Sequence, residues 1–554
     1  MTEQVIRGLG VSPGVVVGPW LRFGNAATTS ADDPVSGPVD QELARAKSAL
    51  AEVADDMTAR AAKVDGVAAE ILKTSSMMAR DPGIVAAVEK HLLAGTPTAH
   101  AVHLAFDGFA DKLSALGGYM AERATDLRDI GGRTVAVLLG EPLPGIPAPG
   151  YPFVLVARDL APADTAMLGD SDVIGLLTSE GGPTSHTAIL AKALGLPAVV
   201  SCPDLDALVD GEPVLVDGTT GEVVIAPTQA RQDAAREQAA ADAVRLQAAT
   251  GPGHTADGTP VQLLVNIGTV DDAVATGPLD SEGVGLFRTE FMYLGKTTEP
   301  TLEEQTASYT TVFEQFAGRK VVVRTLDAGS DKPLPFLDLG TEENPALGVR
   351  GLRIGTVFPE TLATQLTALA RAADATGADL WVMAPMVATV DEAANFAELA
   401  RGVGLRKVGA MIEIPAAALR AADLLTHLDF VSIGTNDLSQ YTLAVDRMAG
   451  SLAPLLDPWQ PPLLDLIAMV GAAGAMHGKP VGVCGEAGSD PSLAPVLVGL
   501  GVTSLSMSAP ALPAVRVALA DVSIEQCRAA ADAASAAANP TAARAAAARI
   551  VGRG

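Results

Sequence analysis

Apolar residues recur with a helical period between residues 39 and 130. Leu43, Ala46, Leu50, Val53 and Met57 lie three or four positions apart. This spacing places apolar side chains on one face of a helix, so it predicts an amphipathic helix. The same spacing returns after residue 100, and two further helical segments lie between these two runs. The pattern predicts an all-helical bundle of about four helices over residues 31–144.

Short apolar runs on both sides of this bundle predict β-strands. A strand, a turn at Pro13-Gly14 and a second strand are predicted between residues 5 and 18. Further strands are predicted at 154–157, 173–177, 198–201, 213–217 and 223–225, with a short helix at 161–167. Together they predict a small α/β domain made of residues 1–30 and 145–227, into which the bundle is inserted.

Eight apolar runs alternate with helical patterns after residue 260. They predict strands at 261–267, 283–288, 320–325, 379–384, 407–412, 430–433, 480–483 and 504–507. This alternation predicts a TIM (β/α)8 barrel at residues 254–527, and an open doubly wound sheet is the alternative. The barrel is favoured because nearly every predicted strand ends in a polar cluster, and such barrels carry their active sites at those ends.

Two alanine-rich segments flank the predicted barrel. Residues 228–253 are polar and contain no turn signal before Gly251-Pro252-Gly253, so they predict a linker helix that can serve as a hinge. Residues 528–554 predict a C-terminal tail that is helical at first and then frays. The expected fold class is therefore a multidomain α/β protein.

Length and charge limit the functions open to this chain. Its 554 residues exceed one hydrophobic core, so two to four domains are expected. The net charge of -27 argues against binding to nucleic acid or to an anionic membrane. Three cysteines form no disulfide framework, and no run is apolar enough for a signal sequence or a membrane span. A cytoplasmic protein without direct membrane insertion is predicted.

A histidine follows the predicted strand at 173–177. The stretch Gly181-Gly182-Pro183-Thr184-Ser185-His186 predicts a glycine turn that leads into a helix. Unpaired N–H groups and the positive end of the helix dipole favour an anion there. His186 is therefore a candidate carrier of a phosphoryl group, and a packing or capping histidine is the alternative.

Charged residues follow several of the predicted barrel strands. In a barrel these strand ends meet at one mouth. Arginine binds phosphate and carboxylate oxygens through two parallel hydrogen bonds, and two carboxylates with substrate oxygens and waters make a usual Mg²⁺ site. The set therefore predicts a small phosphorylated carboxylic acid as substrate, although each charge taken singly could be a solvated surface group. The cations are Arg288, Arg324, Lys332 and Arg447, and the carboxylates are Glu413 and Asp437.

Two groups of motifs resemble a known family. GGPTSHTAILAKALGLPAVV resembles the phosphohistidine signature shared by Enzyme I of the bacterial phosphotransferase system, pyruvate phosphate dikinase and phosphoenolpyruvate synthase. FRTEF, VVVRTLDAGSDKPLPF, EENPALGVRGLRI, IEIPAA, FVSIGTNDLSQYTLAVDR and GVCGEAG resemble the phosphoenolpyruvate-binding domain of the Enzyme I family. The resemblance covers about residues 1–515.

The resemblance to Enzyme I implies a role for each candidate residue. Arg288, Arg324 and Arg447 would bind the phosphate of phosphoenolpyruvate. Lys332 and Asn436 would assist, and Glu413 and Asp437 would hold Mg²⁺. Cys484 would protonate the enolate to give pyruvate, and His186, carried on a swivelling α/β domain, would accept the phosphoryl group. The carrier protein HPr would dock on the helical insert and receive that group, and the barrel would form a homodimer.

Three alternatives remain at this point. Cys484 could be an inert packing residue, as isolated cysteines between apolar neighbours usually are. The chain could be a dikinase or synthase that phosphorylates His186 from ATP, although no glycine-rich nucleotide loop precedes it. It could also be a regulatory paralogue without turnover, although the intact set of charged residues argues against this.

Overall fold

The computed structural model divides the chain into two compact units, Met1–Ala241 and Asp242–Gly554. No described helix combines the length and the apolar character needed to cross a membrane. The structure describes residues 3–24, 29–31, 33–34, 37–61, 66–116, 118–141, 145–160, 168–182, 186–203, 205, 211–294, 296–329, 334–340, 342–446 and 450–552.

The described helical bundle of the first unit contains five helices, where the sequence predicts about four. The last helix contains Gly131 and Gly132 side by side, and two neighbouring glycines weaken the helical pattern in the sequence. A Cβ at Gly131 would lie 2.8 Å from Cβ of Phe106, so glycine allows the last two helices to approach closely. The helices are α1 (Val39–Ala61), α2 (Gly66–Ala79), α3 (Pro82–Leu93), α4 (Thr98–Leu116) and α5 (Gly118–Leu139).

The rest of the first unit is built on an eight-stranded sheet with the order β1-β8-β7-β3-β4-β5-β6-β2. One helix, α6 (His186–Leu194), follows β5, and the predicted helix at 161–167 lies outside the described residues. The strands are β1 (Gln4–Arg7), β2 (Leu9–Ser12), β3 (Val15–Arg22), β4 (Phe153–Ala157), β5 (Val173–Thr178), β6 (Ala198–Val200), β7 (Pro213–Asp217) and β8 (Glu222–Ile225).

The single strand predicted before Pro13 is wrong, because the chain forms two strands there. β1 pairs with β8, whereas β2 pairs with β6 at the opposite edge of the sheet. Gly8 lies between them, and a Cβ at this position would be 2.6 Å from Cγ1 of Val199 and 2.7 Å from the carbonyl oxygen of Val200. The missing side chain therefore allows the backbone to pass close to β6 while it changes partner.

The structure contains a helix, α7 (Gln229–Ala248), in the segment predicted to be a linker helix. Only Gln232 of this helix is buried, and its side-chain amide donates to the carbonyl of Pro227 at 2.9 Å. The remaining residues are at least partly exposed, and all of them are polar or alanine except Val244 and Leu246. A hinge function of this segment stays a prediction.

The second unit contains a closed barrel of eight parallel strands, so the alternative of an open doubly wound sheet is wrong. The strands coincide with those predicted to within one residue at each end. Closure is made by β16, which pairs with β9. The strands are β9 (Gln262–Ile267), β10 (Gly283–Arg288), β11 (Lys320–Arg324), β12 (Asp379–Ala384), β13 (Lys407–Ile412), β14 (Phe430–Ile433), β15 (Val481–Val483) and β16 (Ser504–Met507).

Helices surround these strands, and the last two helices contain the alanine-rich C-terminal residues. The helices are α8 (Val270–Thr276), α9 (Leu302–Gln315), α10 (Ile354–Val357), α11 (Pro359–Thr376), α12 (Val390–Gly402), α13 (Pro415–Leu419), α14 (Ala421–Leu424), α15 (Thr435–Leu443), α16 (Pro461–His477), α17 (Ala494–Gly499), α18 (Leu512–Ala520), α19 (Ile524–Ser535) and α20 (Pro540–Val551).

The predicted fraying tail is instead part of the barrel unit. Ala531, Ala543 and Ala547 are buried in the same hydrophobic core as the barrel strands. A Cβ at Gly499 would lie 2.1 Å from the carbonyl oxygen of Cys527, so α17 and α19 pack backbone against backbone. Small alanine side chains also allow helices to pack this closely. The high frequency of alanine in residues 528–554 was therefore a sign of close helix packing and not of a solvated tail.

The interior of the barrel differs between its two sides. On one side, bulky side chains such as Val322, Met383 and Met411 pack together, as is usual in such barrels. On the other side, β14, β15 and β16 place Ser432, Gly482, Ser504 and Ser506 in the interior beside Phe430, and these four residues are small and mostly polar. We call these four residues the polar lane.

Candidate active site

Five of the predicted site residues lie at the carboxyl ends of the barrel strands. Arg288 and Arg324 are the last residues of β10 and β11, and Glu413 and Cys484 directly follow β13 and β15. Asp437 lies in the first turn of α15, which follows β14. The parallel strands therefore bring all five to one mouth, as the sequence predicts for a TIM barrel.

Glu413 is buried and held by the backbone. Its side chain is 1% exposed, and Oε2 accepts a hydrogen bond from the backbone N–H of Met386 at 2.8 Å. Met386 has φ +57°, which is costly for a residue other than glycine and occurs mainly at functional sites. A Cβ at Gly434 would lie 2.7 Å from Cγ of Glu413, so glycine is needed beside this carboxylate.

A buried chain of alternating charges crosses the mouth. Nη2 of Arg324 lies 2.6 Å from Oε1 of Glu290, and Nη1 of Arg324 lies 3.0 Å from Oδ2 of Asp327. Arg350 continues the chain, with 3.3 Å from Nη2 to Oδ2 of Asp327 and 2.9 Å from Nη1 to Oδ1 of Asp437. Each of these side chains is less than one tenth exposed. The network fixes the orientation of Arg324 and Asp437.

Sequence reasoning missed Glu290, Asp327 and Arg350. Glu290 and Asp327 follow Arg288 and Arg324 by two or three positions, so their place after strands β10 and β11 was a usable signal. Arg350 lies in a loop between β11 and β12, where a search of strand ends does not reach. Its position directly before Gly351, which has φ +60°, marks an irregular backbone but does not by itself indicate a site.

Burial and neighbouring charges change the acidity of two groups at the mouth. Burial, followed by the negative charges of Asp437 and Asp327, raises the pKa of Glu413 to about 8, although Arg324 opposes this. Burial likewise raises the pKa of the Cys484 thiol to about 12, while a hydrogen bond from Ser432 opposes the shift. Cys484 therefore keeps its proton at neutral pH, as an acid must before it can donate.

The carboxylates fit a divalent cation. Among the described residues, no group of three or more histidine, cysteine, aspartate and glutamate side chains could hold a metal. Glu413 and Asp437 supply two carboxylate ligands with hard oxygen atoms. Such a pair suits Mg²⁺ when substrate and water complete its coordination shell. Burial, followed by the charges of Asp437 and Asp327, raises the pKa of Glu413, and a bound cation would offset both effects. Asp437 accepts from Arg350 through both oxygens, which holds this carboxylate in place at the mouth.

Within the buried charge network, two polar atoms have no hydrogen-bond partner in the described part of the chain. They are Nε of Arg324 and Oε2 of Glu290. Buried polar groups are normally satisfied, so such atoms mark a place where a polar ligand binds. At the rim, Arg288 is exposed, and the side-chain oxygen of Asn436 accepts from the backbone N–H of Glu486 at 3.1 Å. Arg324 and Arg288 thus present donors to an anionic ligand at the mouth.

Three further predicted site residues are described only in part or not at all. Lys332 and Arg447 lie outside the described residues. His186 is the first residue of α6, and its side chain is not among those described. Next to it, Oγ1 of Thr187 donates to Oδ1 of Asp159 at 3.0 Å. Strand β5 and helix α6 have the order that the sequence predicts around the glycine turn.

Comparisons with known proteins show the family to which this chain belongs. Three sequence families match successive parts of the chain: PEP-utilising enzyme, N-terminal, at residues 7–123; PEP-utilising enzyme, mobile domain, at 150–221; and PEP-utilising enzyme, PEP-binding domain, at 243–524. The chain is therefore a PEP-utilising enzyme, where PEP is phosphoenolpyruvate. Enzymes of this class are generally metal-dependent.

Individual relatives show to which group of PEP-utilising enzymes this chain is similar. A phosphoenolpyruvate-protein phosphotransferase of Streptomyces coelicolor is 49% identical over 552 residues, which cover 99% of each chain. Another, of Haloferax volcanii, is 40% identical over 95% of this chain and 96% of its own. A solution NMR structure of an "Enzyme I (nEIt) protein" matches 43% of this chain and 98% of its own, at 30% identity and a TM-score of 0.37. The chain belongs to the phosphoenolpyruvate-protein phosphotransferase family, which confirms the predicted resemblance to Enzyme I.

Proposed function

We propose that the chain transfers the phosphoryl group of phosphoenolpyruvate to its own His186, releases pyruvate, and then passes the group to a histidine of the carrier protein HPr. The observation that supports this most strongly is the buried charge network at the barrel mouth, in a chain of this family. A network of two buried arginines and three buried carboxylates is costly unless it serves a charged ligand. Phosphoenolpyruvate carries both a phosphate and a carboxylate, which suit these arginines.

Arg288 and Arg324 bind the phosphate in this proposal, and Lys332, Asn436 and Arg447 join them by resemblance. Their positive charge stabilises the phosphoryl group while it moves between oxygen and nitrogen. Mg²⁺, held by Glu413 and Asp437, would supply further positive charge to the substrate. Arg350 positions Asp437 through two hydrogen bonds of 2.9 and 3.1 Å.

His186 acts as the nucleophile, because a neutral imidazole nitrogen can attack phosphorus and form a covalent intermediate. The bond from phosphorus to the enol oxygen breaks, and the enolate of pyruvate remains. The S–H bond of Cys484 then breaks, and its proton forms a C–H bond at the methylene carbon. The raised pKa of Cys484 supports this role, since the thiol is fully protonated before each transfer.

Radioactive phosphoenolpyruvate tests the first half-reaction. Purified protein with Mg²⁺ and ³²P-labelled phosphoenolpyruvate should release pyruvate and gain label on His186, as located by peptide mapping. His186→Ala should gain none, whereas the control His427→Ala, which changes an exposed histidine of the barrel unit, should be labelled normally. Label on His186→Ala would overturn the assignment. Absence of both label and pyruvate in the unchanged protein would favour a regulatory paralogue, and label from ATP alone a dikinase or synthase.

The second half-reaction needs a separate experiment. Labelled protein, freed of phosphoenolpyruvate, is mixed with purified HPr, and loss of label from His186 is followed together with its gain on HPr. The proposal expects both to proceed at the same rate. By resemblance, the helical bundle docks HPr and the barrel forms a homodimer. Label that stays on His186 with HPr would exclude this carrier.

A further inference from the structure

The polar lane runs across three neighbouring strands beneath the mouth. Ser432 of β14 is paired in register with Gly482 of β15, which is paired with Ser504 of β16. A Cβ at Gly482 would lie 2.9 Å from Oγ of Ser504 and 3.4 Å from Oγ of Ser432. Both hydroxyls therefore point into the space that glycine leaves open. Barrel interiors are usually filled by branched apolar side chains, so this row of hydroxyls is a departure.

A narrow cavity lies along the polar lane. Its wall includes all four residues of the lane, and it also includes Lys320 at the start of β11. The cavity has room for about one water molecule, and the serine hydroxyls of the polar lane are polar partners for it in a wall that is otherwise largely apolar. One continuous space therefore borders both Ser432, near the mouth, and Lys320, at the opposite end of the barrel.

Ser432 connects this space to the proposed acid. Ser432 directly precedes Ile433, whose carbonyl oxygen lies 3.7 Å from the sulfur of Cys484, and a hydrogen bond from the Ser432 side chain opposes the rise in the pKa of this thiol. Cys484 is only 3% exposed. A hydroxyl that donates to sulfur is the group best placed to return a proton to a thiolate. The cavity that Ser432 lines offers a route for that proton.

Lys320 supplies a proton donor at the other end. Its Nζ lies 3.9 Å from the ring centre of Trp381 and 3.4 Å from Oε1 of Gln262. Burial lowers the pKa of Lys320 to about 8, although the charges of Asp379 and Glu282 oppose this. The ammonium can therefore release and regain a proton near neutral pH, which an arginine or a fully solvated lysine does much less readily.

We propose that Lys320, the cavity water and the hydroxyls of the polar lane conduct a proton to Cys484 and reload its thiol after each turnover. The proposal rests on the proposed function. One proton is consumed for each pyruvate formed, because the enolate gains a C–H bond. The thiolate takes the Ser432 hydroxyl proton, Ser432 takes one from the water, and the water takes one from the Lys320 ammonium. The Lys320 amine then takes a proton from solvent, so the balance closes.

Isotope exchange separates this relay from the chemistry of phosphoryl transfer. The full-length protein is incubated in ordinary water with Mg²⁺, phosphoenolpyruvate, and pyruvate that carries ¹⁴C in its carboxylate and deuterium in its methyl group. Transfer of ¹⁴C into phosphoenolpyruvate counts the reversals of the first half-reaction and needs no carrier. Loss of deuterium to water, above that in a sample without protein, counts how often Cys484 exchanges its proton.

The readout is the ratio of deuterium lost to ¹⁴C exchanged. It should be about one in the unchanged protein, because the thiol holds a single transferable proton. It should fall tenfold or more in Ser432→Ala, Gly482→Ala and Lys320→Met, since a positioned proton transfer is worth roughly 10²–10⁴-fold. Deuterium not lost should appear in newly made pyruvate that carries a single deuterium. Gly482→Ala removes no polar group and only fills the space between two hydroxyls.

Lys407→Met is the matched control. Lys407 lies 5.4 Å from the ring centre of the same Trp381 but is exposed and does not border the cavity, so its ratio should stay unchanged. Lys320→Arg keeps the charge but should lose the relay. An unchanged ratio in Gly482→Ala or Lys320→Met would overturn the proposal, because solvent would then reach Cys484 through the mouth. Absence of ¹⁴C exchange in the unchanged protein would instead count against the proposed function.

Discussion

Replacement of Arg350 by methionine tests whether the charge network at the mouth is held together as the contacts indicate. Arg350 is 3% exposed and donates to both oxygens of Asp327 and of Asp437. Arg350→Met keeps most of the side-chain volume but leaves two buried carboxylates without this partner. Asp327 retains Arg324 at 3.0 Å, so the loss is greatest for Asp437.

The expected destabilisation follows from these contacts. Removal of one partner of a buried ion pair costs about 3–5 kcal/mol, because the remaining charge stays buried. The lower end, about 3 kcal/mol, applies here because Arg324 still compensates Asp327. For a unit of this size that corresponds to a fall in Tm of roughly 5–10 °C. Mg²⁺ should restore part of the loss, since the cation offsets the released carboxylates.

Scanning calorimetry of the full chain measures this effect. The transition of the barrel unit is recognised because phosphoenolpyruvate and Mg²⁺ displace it. Arg371→Met is the control, because Arg371 is 55% exposed and lies 3.9 Å from Glu303, and exposed pairs contribute about 0–1 kcal/mol. If Arg350→Met lowered the Tm no more than Arg371→Met, Asp437 would not need Arg350 to compensate its buried charge as argued.

Three further substitutions or reactions test the mouth. Since the pKa of Glu413 rises from 4.5 to about 8 on folding, its contribution to stability is fully present below pH 4.5 and is lost as pH rises to about 8. Glu413→Gln should therefore flatten this pH dependence in urea unfolding and remove the stabilisation by Mg²⁺; an unchanged slope would contradict the assignment. Gly434→Ala should displace Glu413, because the new Cβ would lie 2.8 Å from Oε1, and titration calorimetry should show Mg²⁺ affinity reduced roughly 10–100-fold. Unaltered affinity would mean that Glu413 does not bind the ion. Because burial raises the pKa of Cys484 to about 12, iodoacetamide at pH 8 should label it far more slowly in the folded protein than in urea, as mass mapping can show. Equal rates would show an exposed thiolate.

The barrel could be predicted from sequence because its strands are nearly continuous apolar runs that end in charged residues. The same rule located Arg288, Arg324 and Glu413, since a TIM barrel brings its strand ends together whatever the loops do. Arg350 escaped because its place is set by the path of a loop, and loop paths depend on tertiary contacts that no periodicity records. The alanines of the last two helices escaped for a related reason. A small side chain carries little hydrophobic signal, even where it allows helices to pack closely.

In both units the first strand pairs with a strand from the opposite end of the same unit. β1 pairs with β8, more than 200 residues away, and β16 closes the barrel on β9. During synthesis from the N-terminus, neither sheet can be completed until its last strand has left the ribosome. The barrel strands made earlier expose unpaired edges throughout that interval, and such edges favour aggregation. We therefore expect folding of this chain to depend on the rate of translation and on chaperones more than the stability of the finished barrel suggests.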